Sequence, residues 1–240
     1  MGAEHWAVDL SSPTFWVALG QIIWINALLS GDNAVVIALA CRGLPDNQRR
    51  LGMIFGSGAA IGLRIVFTMI IVYLLGVPYL KVVGALALLW IAIDLVLPKD
   101  HGDSSVKSSD TLVRAIGTIA VADVVMSLDN VIAIAGVANG NWTLIILGLV
   151  ISIPMIIAGS AIILSLIDKF PIIVWAGAAL LGFVAGEMLI SDVAVTGRFG
   201  EEFAHSWELS LGIFFAAAVV VVGWLIVRAK GKKAVEEGAH

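Results

Sequence analysis

Two short motifs place carboxylates and amides inside stretches that are otherwise apolar. LLSGDNAVVIALA contains Asp32 and Asn33, and VMSLDNVIAIAGVA contains Asp129 and Asn130. An ionised side chain at the centre of a bilayer costs at least about 2.5–3.5 kcal/mol on insertion scales. Two such pairs in matching contexts therefore indicate a binding site for a cation more strongly than an accident of helix packing.

The ionisable side chains of the other apolar stretches are almost all acidic. Outside the first and last three residues of each stretch, Asp94, Asp123 and Glu187 bring the number of acids to five, whereas Arg64 is the only base. Arg64 can neutralise one acid, the aspartate of either motif, so an ion-pair network that only fixes helix packing leaves the others uncompensated. The surplus carboxylates must be protonated, hydrated or bound to a cation.

The candidate residues fall into ligands and residues that couple charge. The expected metal ligands are Asp32, Asn33, Asp123, Asp129, Asn130 and Glu187. The candidates for proton or charge coupling are Arg64, as a surrogate cation or a group that holds an acid ionised, Asn26, and Asp94, for which simple solvation is an equal alternative. Every histidine lies outside the apolar stretches, and oxygen donors alone favour Mg²⁺, Ca²⁺ or Mn²⁺ over copper and zinc. Ligand type leaves the choice among these three ions open.

The composition of the whole chain is that of an integral membrane protein. Of its 240 residues 60% are hydrophobic and 13% charged, with a mean hydropathy of +1.03, whereas a soluble domain carries about 25% charged residues. A transmembrane helix needs about 20 apolar residues. Seven stretches qualify: 15–41, 51–76, 79–97, 112–138, 142–167, 171–191 and 208–228. The sequence thus predicts an all-α protein whose seven transmembrane helices form a single domain over residues 1–240, in a bacterial inner or plasma membrane.

Lysine and arginine residues are unevenly distributed among the connecting segments. With the N-terminus outside, eleven of them lie on the cytoplasmic side and only Lys81 and Arg198 lie on the outer side. Because short cytoplasmic loops are enriched in basic residues, this distribution predicts an outer N-terminus and a cytoplasmic C-terminus. Asp192, at the end of a span, is expected at the membrane interface, and the tail RAKGKKAVEEGAH is expected to be flexible.

The two motifs are part of a longer internal similarity. SGDNAVVIA matches SLDNVIAIA at an offset of 97 residues, and the same offset aligns Asn26 with Asp123. GALALLWIAID matches GAALLGFVAGE at an offset of 93 residues, which aligns Asp94 with Glu187. These matches predict that the chain contains two related units.

Each predicted unit contains three spans, so the second must enter the membrane from the opposite side. The first covers about 15–97 and the second about 112–191, with an extra helix over about 208–228. Inverted repeats are typical of secondary transporters, which bind substrate near the midplane where the repeats meet. Gly31 weakens its helix by roughly 1 kcal/mol relative to Ala, which favours a break in the first unit. Leu128 stands at the equivalent position of the second, where any break should be milder.

The Asp-Asn motifs, the seven spans and the acids in the third and sixth spans resemble those of the TerC family of integral membrane proteins. The resemblance covers essentially residues 15–228, and the absence of soluble C-terminal domains is similar to the short, YjbE-like branch of that family. The family belongs to a superfamily related to the lysine exporters, and its members are implicated in manganese efflux. The resemblance therefore implies Mn²⁺ as the transported ion, with Asp32, Asn33, Asp129 and Asn130 as ligands and, less directly, Asp123 and Glu187.

The expected function is export of Mn²⁺ from the cytoplasm, by exchange for protons, with no enzymatic activity and no cofactor besides the transported ion. The alternatives are export of Ca²⁺ or Mg²⁺, or of a small amino acid whose carboxylate would need Arg64. A retinal protein is excluded, since residues 208–227 contain no lysine. An intramembrane aspartyl enzyme with Asp123 and Asp129 as paired carboxylates would leave Asp32 and Asn33 of the first motif without a role. The expected partners are the cation and the lipid bilayer, not nucleic acid, and a homo-oligomer stays open.

Overall fold

The computed structural model describes residues 13–28, 31–74, 77–97, 108–138 and 141–237. Within these ranges, backbone but not side chains is described for residues 25–28, 69, 71–74, 108–110, 129–136 and 230–237. Over the described ranges the chain forms nine α-helices and no strand, as the sequence predicts.

The helices follow one another with short connections. They are α1 (Pro13–Leu28), α2 (Gly31–Cys41), α3 (Asp46–Leu74), α4 (Leu80–Val96), α5 (Ser108–Ala138), α6 (Trp142–Lys169), α7 (Ile172–Ile190), α8 (Val193–Phe199) and α9 (Glu201–Glu237). Within the described ranges, five helices are long and apolar enough to cross a membrane, namely α3, α5, α6, α7 and α9. They correspond to five of the seven predicted spans.

The other two predicted spans are shorter in the structure. The span predicted over 15–41 appears as two helices, α1 and α2, and the residues between them, 29–30, lie outside the description. Helix α4 has 17 residues, which at 1.5 Å per residue reach about 26 Å of a hydrocarbon core that is about 30 Å thick. The count of seven spans therefore stays a prediction.

The helices form two compact units, each made from two separate pieces of chain. The first comprises Met1–Gly76 and Lys107–Leu166, and in it α5 contacts α1, α2 and α3. Helix α3 approaches α5 closely at Gly56, where an added Cβ would overlap the side chain of Ile119. The second Asp-Asn motif lies inside α5, which is helical without interruption from Ser108 to Ala138. The second motif is thus not interrupted, whereas the break expected in the first motif falls beside residues 29–30, outside the description.

The second unit comprises Val77–Val106 and Ile167–His240. Helix α7 packs on α4 and on α9, and glycine makes the second of these contacts possible. A Cβ added to Gly186 would lie 2.6 Å from the carbonyl oxygen of Leu211 and 2.8 Å from the Cα of Gly212. Side chains would force α7 and α9 apart at this position.

Asp192 holds the second unit together at one end. Its Oδ1 accepts hydrogen bonds from the backbone N–H of Tyr79 (2.9 Å) and Ala194 (2.8 Å), and its Oδ2 accepts from those of Lys81 (3.0 Å) and Val82 (3.4 Å). One carboxylate thus serves the N-terminal turns of both α4 and α8, whose N–H groups have no intrahelical acceptor. Burial raises the pKa of Asp192, but the four N–H donors outweigh it and hold the pKa below its ordinary value of 3.8.

Asp192 is only 1% exposed, and its location at the membrane interface stays a prediction. The segment after it differs from the prediction: α8 and the first turns of α9 occupy residues expected to form a loop. Helix α9 continues to Glu237, so most of the tail is helical, and its flexibility stays a prediction. Alanine, lysine and glutamate dominate that tail, and all three favour helix without contributing to an apolar span.

Candidate functional site

The first Asp-Asn motif lies at the beginning of α2. Asp32 is in the first turn of this helix, and its Oδ1 accepts the backbone N–H of Asn33 at 2.8 Å. The first N–H groups of a helix have no intrahelical partner and give this end a partial positive charge. A carboxylate is therefore stabilised here, and Asp32 is only half-buried.

The amide of Asn33 has an unusual environment. The residue is 4% exposed, and neither Nδ2 nor Oδ1 has a hydrogen-bond partner in the part of the chain that the structure describes. Leaving a buried polar group unpaired costs about 1–3 kcal/mol, so folded proteins rarely keep one without a reason. An Asn side chain presents one acceptor oxygen and two N–H donors. This amide is thus free to bind a ligand.

A buried ion pair lies in the same unit. Arg64 of α3 is 0% exposed and Asp123 of α5 is 6% exposed. The Nη2 of Arg64 contacts Oδ1 of Asp123, and its Nε donates to Oδ2 at 3.3 Å. The sequence analysis proposed Asp32 or Asp129 as the partner of Arg64. The structure shows Asp123 as a partner, a residue that was predicted to be a metal ligand.

Two hydroxyl groups support this ion pair. Ser127, one turn after Asp123, donates from its Oγ to Oδ2 of Asp123 at 3.3 Å. Thr68, one turn after Arg64, donates to the backbone carbonyl of Arg64 at 2.7 Å. Because α5 is unbroken at this point, no backbone group competes for the hydroxyl of Ser127, and it serves the carboxylate.

The ion pair and the first motif are close enough to interact. Asp32 interacts electrostatically with both Arg64 and Asp123. Another buried polar group lies on α3: the hydroxyl of Ser57 is 1% exposed and, among the described residues, has no hydrogen-bond partner. Ser57 precedes Arg64 by seven residues, two helical turns, and so shares its face. This polar face of α3 was not predicted, although the i, i+7 and i+11 spacing of Ser57, Arg64 and Thr68 indicates it.

Three predicted site residues lie where only the backbone is described. Asp129 and Asn130 are in α5, and Asn26 is in α1. The side-chain positions predicted for these three residues fall outside the description, and their roles stay predictions.

The remaining two predicted residues belong to the second unit. Glu187 on α7 and Asp94 on α4 are both half-buried. Glu187 interacts electrostatically with Glu208 of α9, a residue that the sequence treated only as the start of a span. Glu208 in turn contacts Nδ1 of His205 through its Oε2 at 3.3 Å.

Among the described side chains, no group of three or more His, Cys, Asp or Glu residues is arranged to hold a metal ion. Asn33 is not one of these residue types, and the side chain of Asp129 lies outside the description. Metal ligation by the two motifs therefore stays a prediction. The described arrangement comprises two carboxylates, a guanidinium and an unpaired amide within one helical unit.

The sequence was compared with known families and proteins. The family described as "Integral membrane protein TerC family" matches residues 11–233. The membrane protein YjbE of Bacillus subtilis (strain 168) is 44% identical over 178 residues, which cover 74% of this chain and 81% of YjbE. YceF of the same organism is 29% identical over 231 residues, which cover 92% of this chain and 87% of YceF. Both are named as uncharacterized membrane proteins. No solved structure matches the chain significantly.

Proposed function

Because the chain belongs to the TerC family of integral membrane proteins, we propose that it is a transporter that exports a divalent cation, Mn²⁺, from the cytoplasm. The proposed protein has seven spans in an inverted 3+3 repeat plus one helix, with its N-terminus outside and its C-terminus inside. The composition of the two units supports this repeat. The third helices of both repeats, α4 and α7, belong to one unit, and the first and second helices belong to the other.

The observation that carries the proposal is the amide of Asn33 beside Asp32, which has no hydrogen-bond partner among the described residues. A structural role would leave the amide hydrogen-bonded, because both of its polar atoms are buried and their desolvation is otherwise uncompensated. An incoming cation that binds the carboxylate of Asp32 can take Oδ1 of Asn33 as a second oxygen ligand. In this proposal, the amide oxygen of Asn33 is kept without a hydrogen bond so that it can bind the ion.

The chemistry of these donors suits a hard divalent cation. Carboxylate and amide oxygens are ligands for Mg²⁺, Ca²⁺ and Mn²⁺, and the family resemblance favours Mn²⁺ among them. Asp129 and Asn130 of the second motif would complete the ligand set from α5. Release of the ion leaves carboxylates that repel one another, a situation that favours protonation, so exchange for protons is the proposed coupling.

The test is the manganese content of cells that express the protein. Expression of the unaltered chain should lower cellular manganese under Mn²⁺ load, and Asp32→Ala and Asp129→Ala should each abolish the effect. Asp46→Ala is the matched control, because Asp46 is an acid at the start of α3 whose side chain is 92% exposed. Its removal should leave efflux unchanged.

Two results would contradict the proposal. One is that cells with Asp32→Ala and cells with Asp129→Ala both contain as little manganese as cells with the unaltered protein. This comparison requires that all variants are present in the membrane in equal amounts. The other is efflux of Ca²⁺ or Mg²⁺, but not of Mn²⁺, under equal load, which would replace the substrate and keep the site.

A further inference from the structure

Arg64 is a permanent cation inside the candidate site. Of the described charged side chains it has the lowest exposure, 0%. A guanidinium does not lose its proton in proteins, so Arg64 carries its charge at every stage of transport. Whatever ion enters the site meets this charge.

The carboxylate of Asp123 is largely occupied by its donors. Oδ1 contacts Nη2 of Arg64, while Oδ2 accepts from Nε of Arg64 and from Oγ of Ser127, both at 3.3 Å. An ionised carboxylate offers about four lone-pair positions, and three of them are used here. One position is left, so a cation cannot bind both oxygens of Asp123 while the guanidinium stays in place.

We propose that Arg64 is a tethered competitor of the transported cation for Asp123. In the described conformation the guanidinium holds Asp123, and the transported ion gains this ligand only when the guanidinium withdraws. The strength of the Arg64–Asp123 pair then limits the affinity of the site, which lets a transporter release its ion. This inference rests on the proposed function, because it concerns the same ion and site.

The arrangement of the helices supports competition rather than a purely structural ion pair. Asp32 interacts electrostatically with both members of the pair, so a cation bound at Asp32 weakens the hold of Asp123 on Arg64 and repels the guanidinium. The side chain of Arg64 has several rotatable bonds, whereas α3 and α5 are closely packed near Gly56. In this proposal the guanidinium therefore withdraws by a change of side-chain rotamer and not by separation of the helices.

Equilibrium Mn²⁺ binding to the purified full chain in detergent tests the proposal. Arg64→Met removes the charge and keeps a long unbranched side chain, and it should tighten Mn²⁺ binding about tenfold or more, which corresponds to about 1.4 kcal/mol. Arg64→Lys keeps the charge but lacks the two-pronged donor geometry, so its affinity should lie between those of the unaltered chain and Arg64→Met. Asp123→Asn, combined with either Arg64→Met or Arg64→Lys, should remove the gain in Mn²⁺ affinity.

The controls separate this inference from the function on which it rests. Arg114→Met alters an exposed arginine of α5 and should leave Mn²⁺ affinity unchanged. If the unaltered chain and all variants bind no Mn²⁺, the proposed function fails and the inference with it. Suppose that the unaltered chain binds Mn²⁺ and Asp32→Ala does not, but Arg64→Lys binds Mn²⁺ no more tightly than the unaltered chain. Then only the competition between Arg64 and the cation for Asp123 is refuted. Arg64→Lys decides the question even if Arg64→Met fails to fold.

Discussion

Replacing Asn33 by leucine should make the protein more stable and inactive at the same time. Leucine has nearly the shape of asparagine but carries no polar atoms. The structure leaves both Nδ2 and Oδ1 of Asn33 buried and without partners among the described residues. At the low end of about 1–3 kcal/mol for each unsatisfied group, Asn33→Leu should raise the free energy of unfolding by about 2 kcal/mol.

Reversible unfolding in mixed micelles with increasing dodecyl sulfate, followed by tryptophan fluorescence, measures this change, since all eight tryptophans are kept. For a chain of this size about 2 kcal/mol corresponds to a rise in Tm of about 4–8 °C. The same variant should lose manganese efflux, because Asp32 would keep no neighbouring amide oxygen. A gain in stability with a loss of function is expected of a residue retained for binding rather than for folding.

The matched control is Asn141→Leu. Asn141 immediately precedes α6, and its Oδ1 accepts the backbone N–H of Leu144 at 3.2 Å. Loss of such a cap costs about 1 kcal/mol, so the same substitution should here lower stability and leave efflux intact in the folded fraction. The reasoning about Asn33 is refuted if Asn33→Leu destabilises the protein or if that variant still exports manganese as well as the unaltered chain.

Three further predictions concern the second unit. Asp192→Ala removes the acceptor of four backbone N–H groups and should lower the free energy of unfolding by about 2–4 kcal/mol, since it uncaps two helices at up to about 2 kcal/mol each. Faster amide hydrogen exchange at Tyr79 and Lys81 is the direct measurement. Unchanged exchange at these residues would contradict the capping role. The folded-state pKa of Asp192 lies below 3.8. Its contribution to stability is therefore fully present above pH 3.8 and is lost as the pH falls through the folded-state pKa. The stability difference between the unaltered chain and Asp192→Asn should therefore be largest near neutral pH and shrink below pH 3.8, and a difference that grows in acid would show the sign to be wrong. Gly186→Ala should destabilise the chain by about 1–3 kcal/mol or more through overpacking, measured by unfolding in micelles, whereas Gly197→Ala, where an added Cβ meets nothing within 4 Å, should cause no such loss.

The helices were largely predictable because apolar runs of 17 or more residues leave a chain few other structures. Patterns of hydrophobicity were less informative where helix formation does not depend on burial. Helix α8 and the polar turns of α9 around Glu201 carry no apolar run. Asp192 caps α8, and the acids of the first turn, Glu201 and Glu202, favour the beginning of α9.

The site was predictable in its residue types but not in its pairings. The surplus of acids over Arg64 indicated that ion pairs and free donors must coexist. Which acid pairs with Arg64 depends on the rotation of α3 against α5, and that rotation is set by the close packing at Gly56 and Ile119. A single sequence contains the residues that pack but not the angle at which they do so. The unpaired state of Asn33 likewise depends on neighbours from other helices.

Anomalous scattering at the manganese absorption edge, from crystals of the purified protein grown with Mn²⁺, tests the central claim most directly. We predict an anomalous peak within coordination distance of the Asp32 carboxylate and of Oδ1 of Asn33. Crystals of Asn33→Leu, in which the amide is absent, should show that peak weakened or lost. A peak located only at other residues, or an Asn33 amide that is hydrogen-bonded within the protein in the presence of Mn²⁺, would contradict the account.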